Sequence, residues 1–193
     1  MARVRDISID EVPEDAKGVY RRFAEEYGPF LNQVKVFAHR PPALRQLMGL
    51  LLEFADEAIL PKRYLEVALV TVSKLSECHY CVAHHVPRLV KLGLPRDVVD
   101  NILAPQPGLD ETELLVRDWA VQVTNAPNRV SEALFQRLRS VFSEEQIVEL
   151  TLRTALCGFF NRFNDALGIE TEGEALAEFL SLGSSSDQGG RTQ

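Results

Sequence analysis

Residues 64–85 read YLEVALVTVSKLSECHYCVAHH, and the reading of this stretch decides the fold. Its first ten residues are rich in β-branched side chains and look like a buried strand on propensity alone. No clear second strand is available to pair with them, so a buried helix is expected. The end of the stretch, residues 76–85, holds two of the chain's three cysteines and three of its four histidines. A metal site, a redox dithiol and an accident of composition all remain open at this point.

Outward from this stretch, punctuation divides the chain into helix-sized pieces. Residues 14–27 form a charged amphipathic segment closed by Gly28 and Pro29. Pro41 and Pro42 open the next, where Leu44, Leu47, Leu51 and Phe54 recur at three- and four-residue steps, the period of a helix. Pro61 opens the segment containing the quoted stretch, Gly93 closes the one holding the cysteines, and Pro95 starts another. Asp110 with Glu113, and Ser143 with Gln146, have the spacing of capping boxes. From residue 147 to 167 the apolar positions Leu156, Phe159, Phe160, Phe163 and Leu167 mark one long helix. The expectation is an all-α helical bundle in one domain over residues 1–182. The Gly/Ser-rich residues 183–193 are expected to form a flexible tail. EVALVT at 66–71 and ELTLRT at 149–154 share Glu, Leu and Thr, the trace that a weak internal duplication would leave.

The 193 residues carry 21 Lys plus Arg against 28 Asp plus Glu, a formal charge of −7. The basic residues are scattered, which argues against nucleic acid as a partner. No apolar run approaches the roughly 20 residues that span a bilayer, and the first residues lack the apolar segment of a secretory signal. A soluble, cytoplasmic protein is expected. Three cysteines are too few for a disulfide framework, and a pair three positions apart in a reducing compartment points to a catalytic dithiol or a metal site. Cys157, flanked by apolar side chains, reads as a small buried hydrophobe.

If Cys78 begins a helix that runs to Leu92, Cys81 lies one turn on and His85 one turn beyond, nearly on one face. Helix N-terminal N–H groups stabilise a thiolate, and an imidazole four residues after Cys81 can take its proton. Glu66 is the only acidic or basic residue between Arg63 and Lys74, within a run apolar enough to be core. It is either a partner for that histidine or a residue on a polar edge of its helix, the second being the usual place for a charge. Zinc could take Cys78, Cys81 and His85 with His84, His79 or Glu66, but a structural site draws a second ligand pair from elsewhere and none is present. His79 should point away from Cys81, His84 should be exposed or at an interface, and Tyr80 should pack.

The pattern E-x11-C-x2-C-x3-H, which is Glu66, Cys78, Cys81 and His85, resembles the motif of the alkylhydroperoxidase D-like branch of the carboxymuconolactone decarboxylase family. LVKLGLP after the motif helix and FFNRFNDALGIE later in the chain resemble its peroxidase-related members. The resemblance covers most of the chain, from about residue 10 to residue 170. It implies an all-helical, oligomeric thiol peroxidase that needs no cofactor and no metal. Cys81 would attack a hydroperoxide, His85 and Glu66 would relay protons, and Cys78 would resolve the sulfenic acid to a disulfide. An external dithiol, thioredoxin-like or lipoyl, would then reduce that disulfide. One departure is Tyr80, directly before the second cysteine, where some members carry a histidine. It bears on peroxidase turnover more than on the redox nature of the pair. Asn161 belongs to the resembling late segment and is expected near the site without a catalytic role. A general protein or lipoyl disulfide reductase and a non-catalytic zinc-binding module are the alternatives.

Overall fold

The β-branched stretch is helical. The computed structural model describes residues 2–28 and 30–184, and the side chains of all of these except 26, 183 and 184. Pro29 and residues 185–193 of the expected tail lie outside the described residues, while residues 183 and 184 end the last helix. Among the described residues there is no strand. The helices are α1 (Glu14–Arg22), α2 (Leu31–Phe37), the single turn α3 (Pro41–Ala43), α4 (Gly49–Glu57) and α5 (Lys62–Leu75). They continue as α6 (His79–Lys91), α7 (Arg96–Asp100), α8 (Glu111–Asn125), α9 (Glu132–Arg139), α10 (Glu144–Leu167) and α11 (Gly173–Ser184). Two π-helical segments, Phe23–Tyr27 and Leu44–Met48, prolong α1 and lead into α4. No helix among the described residues is long and apolar enough to cross a membrane.

The strand-like composition of α5 follows from its position. Packed against α6, α8 and α10, it buries residues 66–73 without a break. A helix covered on every side has no polar stripe and loses the amphipathic period. Its buried hydroxyls are satisfied inside the helix: Thr71 donates to the Val67 carbonyl and Ser73 to that of Leu69, both at 2.7 Å. The capping boxes form where the spacing places them, at Asp110 with Glu113 and at Ser143 with Gln146. Gly168, at φ 61°, closes α10 in the left-handed conformation.

Two apolar clusters make the core. One joins α5 to α6, α8 and α10 through Val67, Val70, Leu89, Val116 and Leu150. The other gathers Phe23, Val34, Phe37, Leu44, Met48 and Phe160, and takes in Cys78, Tyr80 and Cys81. Along α10 the inward face runs through Leu150, Thr154, Cys157 and Asn161. Phe159, expected on the apolar face, is instead 41% exposed and forms an outward stripe with Val148 and Leu152.

The junction of α5 and α6 places the motif. α5 ends in a Schellman turn: the Cys78 amide donates to the Ser73 carbonyl at 3.1 Å and the Glu77 amide to that of Lys74 at 3.2 Å. Glu77 holds the left-handed position at φ 53°, where glycine is usual. Cys78 is thereby the last residue of one capping motif and the N-cap of the next helix. A β-branched residue does not tolerate this backbone. Glu77→Val should therefore lower the unfolding free energy by roughly 1–2 kcal/mol, while Glu77→Gly should hold or raise it, as measured by urea denaturation.

Candidate active site

The two motif thiols occupy inequivalent places on one helix start. Cys78 is the N-cap of α6 and Cys81 lies three residues on, so their sulfurs approach to 3.2 Å with both thiols free. Both are buried. Cys78 donates to the Cys81 sulfur, and Asn164 Nδ2 of α10 donates to the same sulfur at 3.3 Å. Gln33 Nε2 of α2 donates to Asn164 Oδ1 at 2.9 Å, which fixes the amide with its N–H groups toward Cys81. The bond to Cys81, followed by burial, pushes the Cys78 thiol far above its ordinary value, so its proton stays in place. Cys81 is the acceptor of two donors, one thiol and one amide.

One turn beyond Cys81, His85 Nδ1 lies 2.8 Å from Glu66 Oε2 on α5. Both residues are buried, with Glu66 only 7% exposed, so the polar-edge position usual for a charged residue does not hold. Burial opposes ionisation of Glu66, but His85, Arg88 and Arg153 together hold its carboxyl below the ordinary value. Burial also pushes His85 down, against the opposing pull of Glu66. The pair is therefore a carboxylate and a neutral imidazole. Since a carboxylate only accepts, the imidazole proton sits on Nδ1 and Nε2 carries a free lone pair.

The relay is held by aromatic and cationic neighbours. Arg88 lies over the Phe30 ring at 4.8 Å, donates to the Tyr27 carbonyl at 2.8 Å and stands 3.7 Å from Glu66 Oε1. This guanidinium position requires Gly28, at φ 141°, because a Cβ there would lie 1.6 Å from Arg88 Nη2. His84, expected to be exposed or at an interface, is instead buried within the chain. Its Nδ1 is 2.7 Å from the Tyr80 carbonyl, its Nε2 is 2.8 Å from Glu172 Oε2, and its ring stacks on Phe30 with centroids 4.5 Å apart. Tyr80 packs as expected and also donates its hydroxyl to Glu172 Oε1 at 3.0 Å. His79 is exposed. Cys157 is buried, and burial above all pushes its thiol up to about 12, which keeps it protonated and inert at neutral pH.

A cavity of about 40 Å³ lies against Cys81 and His85, walled by Phe23, Tyr27, Phe30 and Leu156. Cys78 is not part of its lining. Among the described residues no group of three or more His, Cys, Asp or Glu is arranged to hold a metal ion. The structure thus brings Glu66, Cys78, Cys81 and His85 together, with Asn161 near Cys157. Sequence reasoning missed Gln33, Asn164, Arg88 and Glu172. Asn164 was within reach, one helical turn after Asn161 in the late segment, whereas the other three carried no local signal.

Two outcomes follow from this geometry. Asn164→Leu should slow alkylation of Cys81 by iodoacetamide about tenfold, since a hydrogen bond to a charged group is worth about 1.5–3 kcal/mol. The lowered His85 and Glu66 values both give stability that is present above their ordinary values, 6.5 and 4.5, and is lost as pH falls below them. Wild-type protein should therefore lose more stability than His85→Gln between about pH 7 and pH 5, read as the shift of the urea midpoint.

No family model matches the chain, and no curated protein matches it. Solved structures do. The alkylhydroperoxidase AhpD core of an uncharacterized peroxidase-related protein from Ralstonia eutropha JMP134 is 24% identical, with a TM-score of 0.72 over 91% of this chain and 94% of that one. An uncharacterized peroxidase-related protein from Silicibacter sp. TM1040 is 21% identical, with a TM-score of 0.68 over 91% and 94%. The debrominase Bmp8, as a cysteine-to-alanine variant in complex with 2,3,4-tribromopyrrole, is 20% identical, with a TM-score of 0.73 over 93% and 96%. The chain has the all-helical fold of the alkylhydroperoxidase AhpD core.

Proposed function

We propose that the protein is a thiol-dependent peroxidase that reduces hydroperoxides through the Cys78–Cys81 pair. The observation that carries this reading is the asymmetry of the two thiols. Cys81 accepts two hydrogen bonds and lines the cavity with His85, while Cys78 keeps its proton and stands behind it. Neutral His85, with Nε2 free, takes the proton of the Cys81 thiol, and Glu66 stabilises the imidazolium that results. The thiolate attacks the outer oxygen of ROOH and the O–O bond breaks. RO⁻ leaves as ROH with the proton held by His85, and Cys81 becomes a sulfenic acid. The Cys78 sulfur, 3.2 Å away, displaces water and closes the disulfide. An external dithiol, thioredoxin-like or lipoyl, restores both thiols by exchange. The likeness to peroxidase-related structures supports this reading.

The likeness to a debrominase supports a second reading for the same groups. The thiolate would take bromine from a bromoarene, the carbanion would take the proton from His85, and Cys78 would displace bromide to form the disulfide. We place the protein in the reducing cytoplasm as a homo-oligomer. The outward stripe of Val148, Leu152 and Phe159 on α10 supplies an apolar face for the second copy.

The deciding experiment exposes the reduced protein to one equivalent of cumene hydroperoxide and maps its thiols by intact mass and peptide analysis. A Cys78–Cys81 disulfide should form with peroxide consumed and Cys157 still free. Cys81→Ser should abolish consumption, and Cys78→Ser should stop at a Cys81 sulfenic acid that dimedone captures. Thiols that stay reduced with the hydroperoxide, but oxidise with tribromopyrrole as bromide is released, would reject the peroxidase reading in favour of debromination.

A further inference from the structure

Beside the relay lies a second, larger cavity of about 460 Å³, within the size range of sites for small organic ligands. It shares Tyr27 and Arg153 with the small cavity at Cys81 and has Glu66 in its own lining. Its body is apolar, with Phe54, Leu60, Leu65 and Leu92 in the wall. Its charged lining is Lys62, Arg88, Lys91 and Arg153 against Glu66 and Glu149. Of the two carboxyls, Glu66 is already engaged by His85 and faces Arg88. Lys91 pairs with Glu178.

Arg153 is only 4% exposed, yet its guanidinium is half used. Nη2 donates to the Tyr27 hydroxyl at 3.0 Å, and the group lies 5.8 Å from the Phe54 ring centroid. Nη1 is buried without a hydrogen-bond partner in the structure. A buried guanidinium N–H left unpaired is costly, and the ligand that repairs it is an anion able to accept from it. Glu149 Oε2, one turn earlier on α10, is likewise buried without a partner. Burial raises the Glu149 carboxyl above its ordinary value while the Arg153 charge pulls it down, so Glu149 is the group an anion on Arg153 competes with.

We propose that this cavity binds a substrate with an apolar body and a single carboxylate, the carboxylate seated on Arg153 Nη1. The Tyr27–Arg153 hydrogen bond is the partition through which the reactive end reaches Cys81. This rests on the thiol chemistry above for what happens at that end, and on the cavity alone for what binds. Tyr27 suits such a partition. It ends the π-helical segment Phe23–Tyr27, a helix geometry that lacks the regular α ladder and recurs at functional sites, and Gly28 follows it at positive φ. Because Arg153 both seats the carboxylate and borders the passage to Cys81, the implied substrate class is an apolar acid whose hydroperoxide group lies beside its carboxylate.

The test is calorimetry on the reduced full chain with two unreactive probes, octanoate and 1-octanol. Octanoate should bind saturably with one site per chain and more tightly than octanol. Arg153→Gln should weaken octanoate about tenfold or more while octanol changes little. Leu65→Trp, which fills the cavity without touching the cation, should abolish octanoate binding; it keeps the test open if the arginine variant does not fold. Octanoate that binds no better than octanol, or equally well to Arg153→Gln, overturns the proposal. A kinetic arm separates this from the peroxidase reading. The preference of kcat/KM for 2-hydroperoxyoctanoate over cumene hydroperoxide should fall about tenfold in Arg153→Gln. If neither hydroperoxide is consumed but octanoate follows the arginine dependence, the pocket assignment stands and the peroxidase reading fails.

Discussion

The hydrogen bond between Glu66 and His85 is the constraint around which the rest of the site is arranged. It joins α5, buried without a break over residues 66–73, to the helix that carries both thiols, across a Schellman turn only a few residues long. A carboxylate taken that far from water needs compensation, since burial alone would keep it protonated. The imidazole at 2.8 Å, with Arg88 and Arg153 behind it, is that compensation. The same bond fixes the imidazole tautomer, and with it the nitrogen left to act as a base. Structural and chemical roles therefore coincide in one interaction, and the aromatic ring of Phe30 and the Arg88 guanidinium serve to hold it.

The second consequence is that two identical residues three positions apart become chemically different. A helix start is asymmetric. Its N-cap side chain lies back over the first turn, while the residue three positions on is already inside the hydrogen-bonded helix. Cys78 occupies the first position and points its proton at Cys81; Cys81 occupies the second and meets Asn164 from α10. The contact between the two sulfurs is local, but the Asn164 donor comes from a distant helix. The difference is produced by the Schellman turn on one side and by the packing of α10 on the other.

A second carboxylate–histidine contact, Glu172 with His84, parallels the first on the neighbouring face of α6 and attaches the segment before α11 to the motif helix. Tyr80, Asn32 and His84 all converge on that one carboxylate. The burial of His84 follows from this convergence. A histidine next to the motif histidine is rotated by about 100° around the helix, which would reach solvent had the chain not returned to cover it.

What the sequence determined by itself was the local part. The prolines, glycines and capping boxes marked the helix boundaries, and the spacing of Glu66, Cys78, Cys81 and His85 named the chemical groups, because one-turn steps along a helix are set by backbone geometry alone. The strand-like composition of α5 could be read as helix only for want of a strand to pair with it. The true reason, burial on all sides, belongs to the tertiary structure. Tertiary structure alone also decided that Glu66 faces inward, that Phe159 faces outward, and that Gln33, Asn164, Arg88 and Glu172 meet the motif. Those contacts join residues far apart in the chain, and no local period encodes which side of a helix its neighbours will cover.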